Sequence, residues 1–224
     1  MADRVDAVRG IARKKRGVRA RLSASQYLAA SERSTIPRRF AGGGGRRALE
    51  GFLFPAAYDF VARTTSRQLV AKQVEAFRRN WAKVNLRYAG SKNLTPYDVL
   101  IIASMIEEEV RVPRERALVA AVIYNRLRRR MPLGIDATLR YGLDVAPTES
   151  LRRSHLRHPT PYNTLLHTGL PPTPITNPGL AAMQAAARPA RVDYLFFVRT
   201  SDCRSHFFTA SEEEFLARVA SPRC

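Results

Sequence analysis

The hydrophobic pattern is most unusual in the run Thr95-Pro-Tyr-Asp-Val-Leu-Ile-Ile-Ala-Ser-Met-Ile-Glu107-Glu-Glu109. Thr95 can cap a helix, Pro96 suits the first helical position, and Asp98 stands three residues after the cap, where a carboxylate closes a capping box. From Val99 to Ile106 only Ser104 is polar, so the predicted helix lacks a polar face over two turns and must be buried nearly all round. Its end therefore lies close to the core. Successive residues are about 100° apart around a helix axis, so Glu107, Glu108 and Glu109 cannot share a direction, and at least one must point inward or along a cleft. Burial and the partial negative charge of a helix C-terminus both disfavour an ionised carboxyl there, which is what a general acid requires. Arg111 and Arg114 act in the opposite sense. The pattern alone leaves two readings: a solvated acidic helix end paired with those arginines, or a catalytic acid.

Around this helix the other elements follow from periodicity and breakers. Residues 1–31 alternate apolar and basic positions in a helical manner, with Ser23 a cap before 24–30. Pro37 and the Gly42-Gly-Gly-Gly45 run interrupt the pattern. Arg46-Arg47, rather than a Gly-Lys-Ser/Thr sequence, follows the glycines, so they read as a flexible linker and not as a phosphate-binding loop. A boundary near 40–48 divides the chain into a basic N-terminal segment, 1–48, and a larger domain, 49–224. Residues 49–55 read as a short extended segment stopped by Pro55. Residues 66–84 read as an amphipathic helix with Leu69, Val70, Val74, Phe77 and Trp81 toward the core. A helix over 113–130 ends in Arg126, Arg128, Arg129 and Arg130, which suit its negative pole and read as a solvated face. Between 131 and 179 the chain is rich in Pro, Gly, Thr and Asn, and only 149–156 looks helical. So long an irregular region favours function, and Tyr141, Tyr162, Asn163 and Thr164 lie in it. A helix at 179–187, a strand at 194–198, a second strand at 206–209 pairing as a hairpin, and a capped helix at 211–219 complete the pattern. The fold class is α+β, with helices and short, mainly antiparallel strands and no βαβ alternation.

Composition adds charge. The chain carries 38 Lys and Arg against 19 Asp and Glu, a formal charge of +19, which predicts attraction to nucleic acid, anionic lipid or an acidic wall polymer without choosing among them. The first fifty residues hold 13 of the basic and 4 of the acidic residues, so the skew is regional. No stretch approaches the roughly 18 apolar residues of a membrane span, and no signal-peptide hydrophobic region follows the basic start; the expectation is a soluble chain without anchor or export signal. Cys203 and Cys224 are expected to be unpaired thiols. His155 and His158 lack a third ligand at a diagnostic spacing, and no metal or cofactor is expected.

Four segments then carry a resemblance in collinear order: Ala103-Ser-Met-Ile-Glu-Glu-Glu109; Val122-Ile-Tyr-Asn-Arg-Leu127; Leu133-Gly-Ile-Asp-Ala-Thr-Leu-Arg-Tyr141; and Pro161-Tyr-Asn-Thr164 with Gly169-Leu-Pro-Pro172, Pro174-Ile and Asn177-Pro-Gly179. Tyr194-Leu-Phe-Phe-Val198 and His206-Phe207 close the pattern, and Leu49-Glu-Gly-Phe-Leu-Phe-Pro55 opens it. Together they resemble the YceG-like family of endolytic murein (peptidoglycan) transglycosylases, known as MltG. The resemblance implies a YceG-like catalytic domain that cleaves the β-1,4 bond between N-acetylmuramic acid and N-acetylglucosamine. The muramic 6-hydroxyl closes onto C1 to leave a 1,6-anhydro end, terminating a nascent strand. One carboxyl suffices, first as acid and then as base.

By resemblance Glu107 matches the catalytic glutamate, Glu109 and Ser104 are supporting residues, and Asn125, Asp136, Thr138, Tyr162, Asn163 and Thr164 are substrate-binding candidates. It also implies peptidoglycan strands as substrate, synthases as partners, and the outer face of the plasma membrane as location, with an anionic membrane surface as a further contact. Gly134-Ile135 stands where Gln-Ser is common, and Thr173 interrupts a usual Pro-Pro-Gly-Pro. The family usually begins with a membrane helix and a LysM-like subdomain; residues 1–48 read as a truncated or divergent remnant of the latter, with 22–30 its best match. Two alternatives stand beside this reading: a basic nucleic-acid-binding protein, disfavoured because no recognition motif for nucleic acid is present, and an inactive wall-binding module.

Overall fold

A computed structural model describes residues 2–33, 36, 40 and 49–220. The chain forms two compact units, 1–83 and 84–224. The expected boundary at 48/49 thus differs from the observed division, and residues 49–83 pack with the N-terminal unit. The glycine run lies outside the described residues, as does Cys224 and hence any pairing of Cys203 with it.

In the first unit, α1 (Ala2–Arg16) is followed by α2 (Ala24–Arg33). Ser23 caps α2 as expected, its Oγ accepting from the Gln26 N–H at 3.3 Å. The third helix, α3 (Ser66–Trp81), starts with a full capping box between Thr65 and Gln68. It buries Val70, Val74, Phe77 and Trp81, the face that the periodicity predicts. Phe40 and Phe52 meet edge-on at 5.1 Å, as do Phe52 and Phe77, and Phe40 meets Trp81 at 4.9 Å; these rings fasten 49–53 to α3. The segment 49–55 is a turn rather than the expected extended segment, with the Phe52 N–H donating to the Leu49 carbonyl at 2.9 Å and Gly51 at φ 90°. The reason is burial: Leu49, Phe52 and Leu53 are all inside, whereas a strand would send adjacent Phe52 and Leu53 to opposite faces.

The second unit is organised around one helix. After a short α4 (Arg87–Gly90), α5 (Pro96–Glu109) begins at the Thr95–Asp98 capping box and buries every residue from Val99 to Ile106. A 3-10 turn (Pro113–Glu115) leads into α6 (Arg116–Arg128). The 131–179 region holds α7 (Asp136–Leu143) and α8 (Arg153–Leu156), and α9 (Leu180–Ala187) follows. Only α8 had a visible signal. The start of α7 is hidden because its N-cap, Ile135, offers no capping side chain. The small residues of α9, Ala182, Ala186 and Ala187, are buried and let it pack closely on α5. The strands β1 (Phe196–Arg199) and β2 (His206–Thr209) form the expected antiparallel hairpin, Phe196 opposite Thr209 and Arg199 opposite His206, and α10 (Glu212–Ala220) packs on it. The result is α+β. No described helix is long and apolar enough to cross a membrane.

Phe77 is fully buried in the ring cluster. Phe77→Ala is expected to destabilise the first unit by about 3–5 kcal/mol, the usual cost of deleting a buried aromatic side chain. Denaturant unfolding followed by the fluorescence of Trp81, the chain's sole tryptophan, measures it.

Candidate functional site

The three carboxylates that end α5 take different directions, as their angular spacing requires. Glu107 Oε2 accepts the Gly179 N–H at 3.2 Å. Gly179 is the N-cap of α9 and has no side chain to cap with, so Glu107 supplies the capping carboxylate from the neighbouring helix. It is not among the residues that line the nearby cleft.

Glu108 and Glu109 do line it. The cleft has a volume of about 1390 Å³ and is bounded by the start of α7, with Gly134, Asp136, Arg140 and Tyr141, and by the hairpin, with Phe197, Arg199 and His206. That is larger than most small-molecule pockets, which run to about 1,000 Å³, and suits a polymer. Burial pushes the Glu109 carboxyl up to about 7, and the negative charge of Asp136 adds to it. Arg199 and a hydrogen bond from the Ala137 backbone oppose the shift, while Glu108 reinforces it. The Asp136 carboxyl is itself raised by the surrounding protein, although the residue is exposed in the open cleft, and Arg140 works against that rise. Two carboxyls therefore share a partly dry space, one of them poised to hold a proton near neutrality.

Among the residues expected to bind substrate, only Asp136 lines the cleft. The others build its walls. Asn125 Nδ2 donates to the carbonyls of Val192 and Tyr194, both at 2.9 Å, tying α6 to the entry of β1. Thr138 and Thr164 join hydroxyls at 2.9 Å, and Thr164 Oγ1 also accepts the Ile135 N–H at 3.1 Å, so the pair closes the loop onto α7. Asn163 is fully buried and donates to the carbonyls of Leu156 and His158 at 3.0 and 2.9 Å. The Tyr162 hydroxyl lies 2.7 Å from that of Thr173, and its ring packs 5.1 Å from that of Tyr141. Ser104 donates to the Ile101 carbonyl at 2.7 Å and accepts the Ile175 N–H at 3.0 Å, a polar link from the apolar rod to the loop above it. These side chains satisfy backbone groups that an irregular, buried chain would otherwise leave unpaired.

Sequence reasoning missed other lining residues. Arg126, read as part of a solvated basic tail, is partly buried, with Nε on the Leu195 carbonyl at 2.6 Å and Nη1 on those of Pro132 and Leu133 at 3.0 and 2.8 Å. Its helical position, two residues before the end of α6, carried no signal that separates it from Arg128. His206 and Glu115 form a buried pair, Nδ1 to Oε2 at 2.8 Å, with the His206 backbone N–H on Oε1 at 3.1 Å. They are 91 residues apart, beyond the reach of any local pattern.

Comparison with known proteins points one way. The model of the YceG-like family matches residues 4–221. The chain is 34% identical over 157 residues to the endolytic murein transglycosylase of Bacillus subtilis (strain 168), covering 70% of this chain and 43% of that protein. It is 33% identical over 184 residues to the protein of the same name from Streptococcus pneumoniae (strain R6), covering 79% and 33%. The chain therefore spans less than half the length of these relatives. A crystal structure of a putative YceG-like protein from Listeria monocytogenes superposes with a TM-score of 0.78 at 27% identity, covering 96% of this chain and 72% of that one.

The raised Glu109 carboxyl has a consequence for stability. Its folded value of about 7 exceeds the ordinary 4.5, so the folded protein binds the proton more tightly than the unfolded chain does. The stabilisation that this one group contributes is then fullest below about 4.5 and is lost as pH rises toward about 7. At about 1.36 kcal/mol per pH unit the loss amounts to roughly 3 kcal/mol. Glu109→Gln, which cannot ionise, is expected to unfold at a higher temperature than wild type at pH 8 and at nearly the same temperature at pH 4.5. Thermal melts of both proteins across that range check it.

Proposed function

The chain belongs to the YceG-like family, and from that premise we propose that it is an endolytic peptidoglycan lytic transglycosylase. It cleaves the β-1,4 bond between N-acetylmuramic acid and N-acetylglucosamine within glycan strands and leaves a 1,6-anhydromuramic end, so terminating nascent strands at the outer face of the plasma membrane. The observation that carries the reading is the Glu109 carboxyl, held near neutrality in a polymer-sized cleft beside Asp136.

Glu109, rather than Glu107, is the proposed proton donor and acceptor. Glu107 has one oxygen on the Gly179 N–H and does not line the cleft, whereas Glu109 faces the space a glycan would enter. In the first step the protonated Glu109 gives its proton to the glycosidic oxygen as the C1–O bond breaks. In the second, the resulting carboxylate takes the proton of the muramic 6-hydroxyl as that oxygen closes onto C1. The carboxyl returns to its starting state and no water is consumed. Asp136 contributes negative charge, which raises the proton affinity of Glu109 and suits the oxocarbenium-like character of glycosidic cleavage.

Glu109→Gln is expected to lower release of anhydromuropeptides from purified peptidoglycan by about 10²-fold or more, the typical contribution of a general acid–base group. Glu107→Gln, which keeps an acceptor for the Gly179 N–H but loses the negative charge beside the start of α9, is expected to retain most of the turnover and to lose a little thermal stability. Mass spectrometry of the digests reads both, because anhydro ends differ from reducing ends by the mass of water. Reducing ends from wild type would mean a hydrolase; binding without any release would mean a wall-binding module. Because the acid must start protonated, kcat/KM is expected to fall as pH rises above about 7.

A further inference from the structure

Among the described residues, the Glu115–His206 contact is the one close pairing of an acid with a basic side chain that is buried, its side chains 5% and 2% exposed, and the proposed reaction gives it no work. Glu115 stands on the 3-10 turn that follows α5, and His206 opens β2. Both carboxylate oxygens are used: Oε2 meets Nδ1 at 2.8 Å, and Oε1 accepts the backbone N–H at 3.1 Å. A two-point contact of this kind fixes the strand as well as the ring. His206 lies directly opposite Arg199 in the hairpin, and directly opposite residues project from the same face. Phe197, two residues before Arg199, shares that face, and its ring meets the imidazole edge-on at 5.4 Å. All three line the cleft with Glu109. Arg199 is exposed and makes no salt bridge among the described residues, so the position of its strand decides how near its charge comes to Glu109.

Resting on Glu109 as the acid of the proposed reaction, we infer that Glu115 is a positioning residue: by holding His206 it fixes the hairpin wall and keeps Arg199 at its working distance from Glu109. The ionisable groups that share the cleft with Glu109 are Glu108 and Arg111 at and just after the end of α5, Arg126 on α6, Asp136, Arg140 and Asp144 on and just after α7, and Arg199 and His206 on the hairpin. Asp136 and Glu108 raise the proton affinity of Glu109, Arg199 lowers it, and Arg140 acts on Asp136. Release of the clamp lets the cation recede and leaves the two acids in place, so Glu109 holds its proton to a higher pH. Direct loss of the Glu115 charge acts in the opposite sense, because removing a negative charge favours ionisation, and so does water entering a loosened wall. The sign of the shift therefore separates positioning from both.

The test titrates Glu109 in the full chain by NMR of ¹³C-labelled glutamate side chains, with Glu109→Gln assigning its resonance, and measures kcat/KM for anhydromuropeptide release over the same pH range. Glu115→Ala is expected to raise the Glu109 midpoint and the alkaline limb of the rate profile together by about half a pH unit, roughly a threefold change in proton affinity. Glu115→Gln, whose amide oxygen still accepts the His206 N–H, is expected to return most of that change. In an Arg199→Gln background Glu115→Ala is expected to shift nothing further, as coupling through that arginine requires. Should Glu115→Ala not fold, replacing the pair by Glu115→Leu with His206→Phe, which leaves no unpaired buried charge, carries the same expectation. A midpoint that stays or falls overturns the inference, as does an equal rise with and without Arg199. Because the titration needs no substrate, the two readings fail separately: a shift through Arg199 without anhydro products keeps the clamp and removes the transglycosylase, whereas products with an unmoved midpoint do the reverse.

Discussion

Burial of α5 on every side is the constraint from which the second unit's organisation follows. A helix with no polar face over Val99 to Ile106 must be enclosed by neighbours, and α9, α6 and α7 all pack against it. Ser104 is the sole polar interruption, and its hydroxyl is spent on holding the loop at Ile175 rather than on solvent. Because the helix stops at the edge of this enclosure, its terminal carboxylates meet protein in one direction and the cleft in another. Glu107 and Glu109 lie roughly 200° apart around the axis and so meet opposite surroundings: a helix N-terminus for the first, the partly dry cleft beside Asp136 for the second.

That division gives chemically identical side chains different work. A carboxylate that accepts the N–H of Gly179 caps the start of α9. A carboxyl facing Asp136 in a partly desolvated space is favoured in its protonated form. Holding Glu109 in that state lowers stability as the pH approaches neutrality, a strain retained at the site where the proposed reaction needs a proton. The surrounding amides and hydroxyls of Asn125, Asn163, Thr138 and Thr164 act on the backbone and keep the walls fixed, so the charged groups do not move away from one another.

Charge is distributed by the same logic. The formal +19 is mostly a property of the surface, but the arginines around the cleft occupy distinct situations. Arg199 is exposed and lowers the proton affinity of Glu109, Arg140 is anchored to the carbonyls of Ala146 and Glu149 and does the same for Asp136, and Arg126 is clamped without a carboxylate. A uniform count of basic residues could not distinguish them, because what differs is the company each guanidinium keeps.

By itself the sequence determined most of the element order, since periodicity and capping act over a few residues: the box at Thr95 and Asp98, the apolar face of α3 and the hairpin at 196–209 are all local. It also determined the family, through collinear motifs, and the expectation that at least one acid ending α5 would leave the solvent. It did not reveal α7, whose N-cap is an isoleucine, or the turn at 49–53, which follows from three side chains needing one interior. The different surroundings of Glu107 and Glu109, the wall-building hydrogen bonds of the motif asparagines and threonines, and the carbonyl clamp on Arg126 were decided by tertiary structure. Each depends on which groups from distant parts of the chain arrive beside it, as Gly179 does 72 residues after Glu107. Proton affinity and solvation are set by those neighbours and not by the residue type alone.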